Sequence, residues 1–391
     1  MIMQPITNLA VLLLILVSSV ASADDVQTTN LLREAKSEKS ATRGAAVLKL
    51  GDSLRSITDD AQRKNVCVAL IDAIRDRSEL VSHLARLRIA ENPKLINQYL
   101  GPYIKSHDFQ QFGTGTETIK AVGSEARRWL PDLLKQLDSE NKKFKLGALH
   151  AMRALDSQDL VGCLDQTIAA LDHPDFNVQL SACRVLEKVG PDAKKAGPRL
   201  VRLMREGLVS SRSWASIALG AIGPHEDYDV TGLLEGQLDQ FSVIDRERAL
   251  IGLAHLGGHA KSVLPKIEIL MEKKSKRVQN TASFAHWKIS GDPTKAVSRL
   301  TSLIATMEHG AKSMDFLAEI GPGAKSSVDE IIGQLKSTEF THRESAVRAL
   351  SSFGPAAGAN AKVALQELLK NEEDLLIRII TQSAINTVQG N

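Results

Sequence analysis

The sequence predicts an all-α fold, an α-solenoid stacked from about ten to eleven two-helix repeats of about 33 residues each. Three observations predict it. An apolar residue followed by glycine, or by a counterpart, recurs at a nearly constant interval. The apolar residues ahead of each such pair keep the 3.6-residue period of a helix. Aromatic residues are only 4% of a chain that is 43% hydrophobic, which suits helices meeting through small side chains and disfavours a β-sandwich or barrel.

At the start of the chain, Leu9 to Val17 is an unbroken apolar run, followed by Ala21-Ser22-Ala23 and then Asp24-Asp25. An apolar run of this length ahead of A-x-A is the pattern of a secretory signal peptide, here residues 1–23, although Met1 to Asn8 carries no Lys or Arg. The run is shorter than the ~20 residues that span a bilayer. The expectation is therefore an exported chain, periplasmic or extracellular, without a membrane span once residues 1–23 are removed. Residues 24–38 read as an N-terminal segment ahead of the repeats.

The landmarks then follow in order: Leu50-Gly51, Ile89-Ala90, Val122-Gly123, Leu155-Asp156, Val189-Gly190, Ile222-Gly223, Leu256-Gly257, Ile289-Ser290, Ile320-Gly321 and Phe353-Gly354. From position 90 onward they are 31 to 34 residues apart, and the first interval is 39. Eight residues upstream stand Arg43, Ser82, Gly115, Ala148, Ala182, Ala215, Ala249, Ala282, Ser313 and Ala346, nearly all small. Four residues upstream the position is mostly apolar, as at Val47, Ile119, Leu186, Leu253 and Leu350, with Arg86 and His286 as departures. Offsets of eight, four and one trace one helical face, with a small column for close approach and large columns to fill the gap.

Gly-Pro at 190–191, 223–224, 321–322 and 354–355 places glycine just past a helix end and proline where that helix cannot continue. Pro131, Pro198 and Pro265, eight residues after a landmark, suit the first turn of the next helix. Each unit is thus two antiparallel helices that bury their apolar faces only by stacking on neighbours. A last helix near Leu375–Val388 reads as a C-terminal cap within residues 374–391. The units around 78–117 and 290–315 fit the pattern poorly, and Gly113-Thr114-Gly115-Thr116 reads as a loosened helix.

The unit resembles the HEAT-repeat family, especially the short HEAT-like repeats also found in phycobilisome lyases. The residues that carry the resemblance are Arg212–Pro224 (RSWASIALGAIGP), Arg343–Ala357 (RESAVRALSSFGPAA) and Val178–Ala193 (VQLSACRVLEKVGPDA). The resemblance covers most of residues 35–390. It implies a protein-interaction scaffold and supplies no catalytic residue to carry over.

The net charge is +3, from 49 Lys and Arg against 46 Asp and Glu, mixed along the chain as on a solvated helical surface. HExxH, CxxC, G-x-S-x-G and P-loop patterns do not occur, so no catalytic residue, metal site or cofactor is expected. Cys67, Cys163 and Cys183 lie in apolar helical contexts and read as buried thiols, with a Cys163–Cys183 disulfide left open. His255 and His259 have a metal-ligand spacing, but Gly257-Gly258 breaks the helix between them. The loop Pro224-His225-Glu226-Asp227-Tyr228-Asp229 is the most polar turn and reads as solvated, a hard-cation site being the alternative. Trp129, Trp214 and Trp287 occupy different places in their units and form no stacking stripe.

One distribution stands out. The twelve residues ahead of each landmark carry +9 in all, against +3 for the whole chain. They include Lys145, Arg153, Arg184, Arg212, Arg246 and Arg343, along with Arg43, Arg86, Arg248 and Arg348. If these second helices line a concave face, that basic strip would hold an acidic segment of a partner protein. The competing reading is a structural ladder, because Asp245, Glu247 and Glu344 sit among the arginines. The function expected is an exported, non-enzymatic scaffold that binds an unidentified protein. The alternatives are lyase-like or chaperone action on a chromophore protein, by analogy with the lyases, and nucleic-acid binding through the basic strip. The second is disfavoured by export and low net charge, so no nucleic acid is expected as a partner.

Overall fold

A helix buries its apolar stripe only against another element, and here the next helix in the chain supplies it. The computed structural model describes residues 25–390, which form helices joined by turns and short irregular links. The expected signal peptide, residues 1–23, lies outside the described residues. The chain is an α-solenoid built from tandem helical pairs. Among the described residues, no helix is long and apolar enough to cross a membrane.

The chain divides into two compact units, the first ending at Ser211 and the second comprising Arg212–Asn391. Unit 1 contains α1 (Asp25–Glu34), α2 (Ser40–Ser53), α3 (Asp60–Ala73), α4 (Glu79–Glu91), the short α5 (Pro93–Asn97) and α6 (Gly101–Ile104), and α7 (Phe109–Val122). It continues with α8 (Leu130–Leu137), α9 (Lys142–Met152), the short α10 (Ser157–Val161) and α11 (Leu164–Ala169), α12 (Phe176–Val189) and α13 (Gly197–Glu206). The helix α14 (Val209–Ile222) carries the boundary in its first turn. Unit 2 continues with α15 (Val230–Gln237), α16 (Val243–Leu256), α17 (Leu264–Met271), α18 (Lys276–Ser290), α19 (Thr294–Leu303), α20 (Gly310–Ile320), α21 (Val328–Gln334), α22 (Phe340–Phe353), α23 (Gly358–Asn371) and α24 (Leu375–Gln389).

The second helix of each pair is the one marked by the repeated columns: α2, α4, α7, α9, α12, α14, α16, α18, α20 and α22, with α24 following after the last marked helix. The small column is buried throughout, from Ser82 and Gly115 to Ala148, Ala182, Ala249, Ser313 and Ala346. The large column at Val47, Ile119, Met152, Leu186, Leu253, Leu317 and Leu350 is buried too, whereas Arg86 is exposed. Within unit 2, α14 and α16 meet backbone to backbone. A Cβ on Gly220 would stand 2.0 Å from the Gly252 carbonyl oxygen, and one on Gly252 would stand 2.5 Å from that of Ser216.

The landmark glycines turn the chain out of these helices. Gly123, Gly190, Gly223, Gly257, Gly321 and Gly354 all have φ between 53° and 85°. After all of them except Gly223, a short 3₁₀ segment leads directly into the next helix: 123–129, 190–196, 257–263, 321–327 and 354–357. The alanine three residues after the glycine (Ala126, Ala193, Ala260, Ala324, Ala357) is buried in that bridge. Pro131, Pro198 and Pro265 fall in the first turn of α8, α13 and α17, as their spacing predicts. Gly51 obeys a different constraint. It lies inside α2, and a Cβ there would stand 2.4 Å from Arg88 Cγ.

In place of one first helix, unit 1 has α5 with α6 and α10 with α11. Only one of these two broken first helices falls where the sequence fits poorly, around 78–117; the other, at 157–169, does not, and the unit around 290–315 has an unbroken first helix, α19. The expected loosening at Gly113–Thr116 is absent, since these residues lie within continuous α7. Gly115 is small because a Cβ there would stand 2.8 Å from Tyr103 Cβ and Ile104 Cδ1. At the C-terminal end, α24 packs on α22 and α23, with Gln382, Ser383 and Asn386 exposed. A polar outer face of this kind suits a cap.

Gly190 has φ 69° and ψ −135°, a region that side chains rarely enter. Gly190→Ala is expected to destabilise the chain by about 1–3 kcal/mol in urea unfolding. Gly162→Ala is the control, because Gly162 has helical φ −67° with open space around a Cβ. It is expected to be neutral or slightly stabilising.

Candidate interaction surface

The basic residues of the second helices fall at two kinds of position. One is the fourth residue after the N-cap, where a long side chain reaches back to carbonyls of the preceding turn. Arg43 is four residues after the N-cap Lys39, and its Nη1 donates to the Ser37 and Glu38 carbonyls at 2.8 and 2.9 Å. Arg343 is four after Glu339, and its Nη1 donates to the Ser337 and Thr338 carbonyls at 3.0 and 3.1 Å. Arg378 does the same to Glu372 at 3.0 Å. Gln179 and Gln279 fill this role with Nε2 bonds to the His173 and Lys273 carbonyls. Lys145 occupies the same register, and its Nζ donates to the last carbonyl of α8, at Leu137.

The arginines at this register also bridge successive repeats. Arg43 forms a two-pronged pair with Asp76, Nε and Nη2 each 2.7 Å from a carboxylate oxygen. Arg343 does so with the buried Glu372, at 2.7 and 3.2 Å. Arg212 pairs with Asp245 at 2.7 Å, and the same carboxylate accepts from Ser213 Oγ at 2.6 Å. Asp245 is only 2% exposed, so the two donors offset the cost of burying its charge. The hydrogen bond and charge of Arg43 hold the Asp76 carboxyl below its ordinary value. Burial pushes the Glu372 carboxyl up, but the bonds from Arg343 and the Asp374 amide outweigh this and leave it lowered. The ladder expected from Asp245 is therefore present at Arg43, Arg212 and Arg343. Arg277 extends it by binding Glu247, with Nε to Oε2 at 2.7 Å.

Arg246 shares the register but differs from its counterparts. Its Nε is enclosed without an acceptor among the described residues. Arg248, on the same helix, lies over the Trp214 ring with its guanidinium carbon 4.4 Å from the centroid.

The second kind of position is in unit 1, further along the helices. Arg153 caps the C-terminus of α9 and is half-buried. Arg184, one repeat later on α12, is half-buried as well. Burial and then the neighbouring Arg184 charge depress the pKa of Arg153, with Glu187 opposing. Lys188 Nζ donates to the Arg153 carbonyl at 2.7 Å, adding a third cation from α12. His150, one turn earlier on α9, has Nε2 3.2 Å from Ser181 Oγ. Burial, then Lys120, Arg153 and Arg184, lowers the His150 pKa, with Glu117 opposing. Lys120 is itself held by Glu117 at 2.6 Å. Lys120 and His150 were not among the residues expected at the strip, because Lys120 lies in a segment with no net charge and His150 is neutral at pH 7.

The other sequence candidates resolve simply. All three cysteines are free and buried, so Cys163 and Cys183 form no disulfide. Burial raises each thiol, Cys67 to about 12 and Cys163 to about 11. The helix α16 ends at Leu256 between His255 and His259, as Gly257 predicts. In the polar loop, His225 stacks on Tyr228 at 4.3 Å, and Asp229 caps α15 through the Gly232 amide at 3.0 Å. No group of three or more potential metal ligands occurs among the described residues. Trp129 is buried and donates its Nε1 to Asn97 at 2.7 Å, while Trp214 and Trp287 are half-buried.

Residues 130–220 match the family model for HEAT repeats. No curated protein sequence matches the chain. Among solved structures, an engineered protein is similar at 18% identity and a TM-score of 0.42, covering 93% of this chain and 98% of that one. Kap121p is similar at 13% identity and a TM-score of 0.39, covering 98% of this chain and 53% of that one. A mutant of Kap121p gives 13% identity and a TM-score of 0.41. The chain spans about half the length of Kap121p.

Two measurements test the division of the basic residues. Arg343→Met removes both prongs from buried Glu372 and both turn bonds, and is expected to cost about 3 kcal/mol in urea unfolding. The pKa of His150 lies below its ordinary 6.5, so its contribution to stability is complete above that value and declines as pH falls below it. Replacing His150 with Gln is expected to flatten that part of the stability–pH curve.

Proposed function

We propose that this HEAT-repeat chain is an exported, non-enzymatic scaffold that holds an acidic segment of a partner protein on its second helices. The observation that carries the proposal is the half-buried Arg153, on which burial and the neighbouring Arg184 charge outweigh the opposing charge of Glu187. Keeping like charges together in a partly dehydrated site is unfavourable until an anion arrives, so the site favours anionic ligands. In unit 1 the proposed residues are Lys145, Arg153 and Arg184; in unit 2 they are Arg212, Arg246 and Arg343. The turn and carboxylate bonds of Lys145, Arg212 and Arg343 give these three a supporting part. Arg153, Arg184 and Arg246 then provide the contacts. A scaffold role is also supported by how the buried polar groups are used. Asn280, for example, donates to the His309 carbonyl and accepts from Ser313 Oγ, joining α18 to α20.

Export rests on residues 9–23 and is tested separately, by N-terminal sequencing of the chain recovered from the medium or periplasm. A chain beginning at Asp24 is expected, and an intact Met1 in a soluble intracellular fraction would reject it. For the scaffold, crosslinking in the source cells should capture a defined acidic protein with the wild-type chain. Arg153→Glu/Arg184→Glu should lose it, and capture should weaken as salt rises. Retention of the same partner by the charge-reversed chain would reject the assignment.

A further inference from the structure

Two repeats complete the same clamp, and a third carries only half of it. Arg43 and Arg343 stand four residues after the N-caps of α2 and α22. Each closes on a carboxylate two residues before the N-cap of the next second helix, Asp76 before Ser78 and Glu372 before Asp374. Arg246 has the same place on α16, four residues after the N-cap Ser242. Two residues before Ser275, the N-cap of α18, stands Lys273 in place of a carboxylate. We propose that a partner protein supplies the missing group, so that an aspartate or glutamate side chain of its acidic segment closes on Arg246. The proposal rests on the scaffold reading and deepens it by naming a grip in unit 2.

The carboxylates of the surrounding segments are engaged elsewhere. On α14, α16 and α18 the acidic residues are Asp245 and Glu247. Asp245 accepts from Arg212 at 2.7 Å and from Ser213 Oγ at 2.6 Å, and Glu247 accepts from Arg277 Nε at 2.7 Å. In the turn before α16, Asp239 holds Lys266 at 2.7 Å. In the turn before α18, Glu272 is paired with Arg299. That turn is fastened by Gln279, whose Nε2 donates to the Lys273 carbonyl at 2.5 Å.

Arg246 is therefore left with an incomplete fork. Its Nε, which in Arg43 and Arg343 forms one prong of the carboxylate pair, is enclosed without an acceptor among the described residues. An enclosed donor without an acceptor is costly, and more so on a charged group, so an arriving anion relieves the site. The side chain is half-buried and its terminal nitrogens are not enclosed, which lets a carboxylate reach them from solvent. A small shift of the guanidinium then brings Nε into the two-pronged arrangement seen at Arg43. Lys273 is exposed, and it puts a second positive charge at the position that holds the carboxylate in the two complete repeats.

The test uses the full chain and an acetylated, amidated hexaglutamate peptide, whose only carboxylates are side chains, with affinity read by calorimetry. Arg246→Gln is expected to weaken binding about tenfold while leaving the urea midpoint unchanged or slightly raised, because its Nε has no acceptor to lose. Arg246→Lys should retain only part of the affinity, since an ammonium has no fork. Lys273→Glu places the missing carboxylate in the chain itself. It is expected to raise the urea midpoint only when Arg246 is present, and to weaken the peptide at least tenfold. Lys274→Glu, the same change of charge one residue on, should weaken the peptide less and leave the midpoint where it is. Unchanged affinity in Arg246→Gln would overturn the grip at Arg246 while leaving an acidic-partner role elsewhere on the chain. Equal effects of Lys273→Glu with and without Arg246 would overturn the assignment of the missing carboxylate. No binding of the peptide at millimolar concentration would overturn both the grip and the acidic-partner reading, as would a preference for a single-stranded oligonucleotide.

Discussion

The structure depends on how closely successive second helices approach. At Gly220 and Gly252 this approach leaves no room for even one carbon beyond the backbone. Along the array the column eight residues before each landmark is kept small and buried as well, at Ala148, Ala182, Ala249, Ala282 and Ala346. Close approach allows the large column four residues away to fill the remaining space with Leu186, Leu253, Leu317 and Leu350, all fully buried. Dense packing of this kind is sensitive to single methylene groups, which accounts for the narrow choice of residues in both columns. It also accounts for the low aromatic content, because a ring does not fit where two backbones nearly touch.

The same spacing determines the polar chemistry. With second helices held one repeat apart, a residue in the first turn of one helix lies near the turn that begins the next. Arg43 reaches Asp76, Arg212 reaches Asp245 and Arg343 reaches Glu372, always into the following repeat. These side chains also hold their own preceding turn where they donate to its carbonyls, as Arg43 and Arg343 do. Cations toward the other end of the helix have no turn to hold. Arg153, at such a helix end, lies in the field of both Arg184 and Glu187, and this difference in position separates the structural cations from those proposed to meet a partner.

Much of this was legible in the sequence. The landmark interval, the small and large columns, the positive-φ glycines and the proline positions follow from helix periodicity and backbone sterics, which are local properties. The 3₁₀ bridges after Gly123, Gly190, Gly257 and Gly321 were not legible. The alanine and proline spacing is visible in the residues, but the tighter winding between them is not. The basic strip was legible only as a sum. Adding charge over twelve residues merged the first-turn donors with Arg153 and Arg184, whose surroundings are opposite. A finer signal was present, because Gln179 and Gln279 share the register of Arg43 and Arg343, and glutamine is a donor without charge. That substitution marks the column as one that bonds to carbonyls. His150 and Lys120 carried no such mark, since their part arises from three helices meeting.

The central proposal is that an acidic segment of a partner protein is held on the second helices, with Arg153 on α9 and Arg184 on α12 among its contacts. Hydrogen–deuterium exchange of the full chain, with and without the captured partner or a glutamate-rich peptide, tests it most directly. Slowed exchange at the C-terminal turn of α9 and the second half of α12 is the predicted result. Protection confined to other helices, with these two segments unchanged, would contradict it.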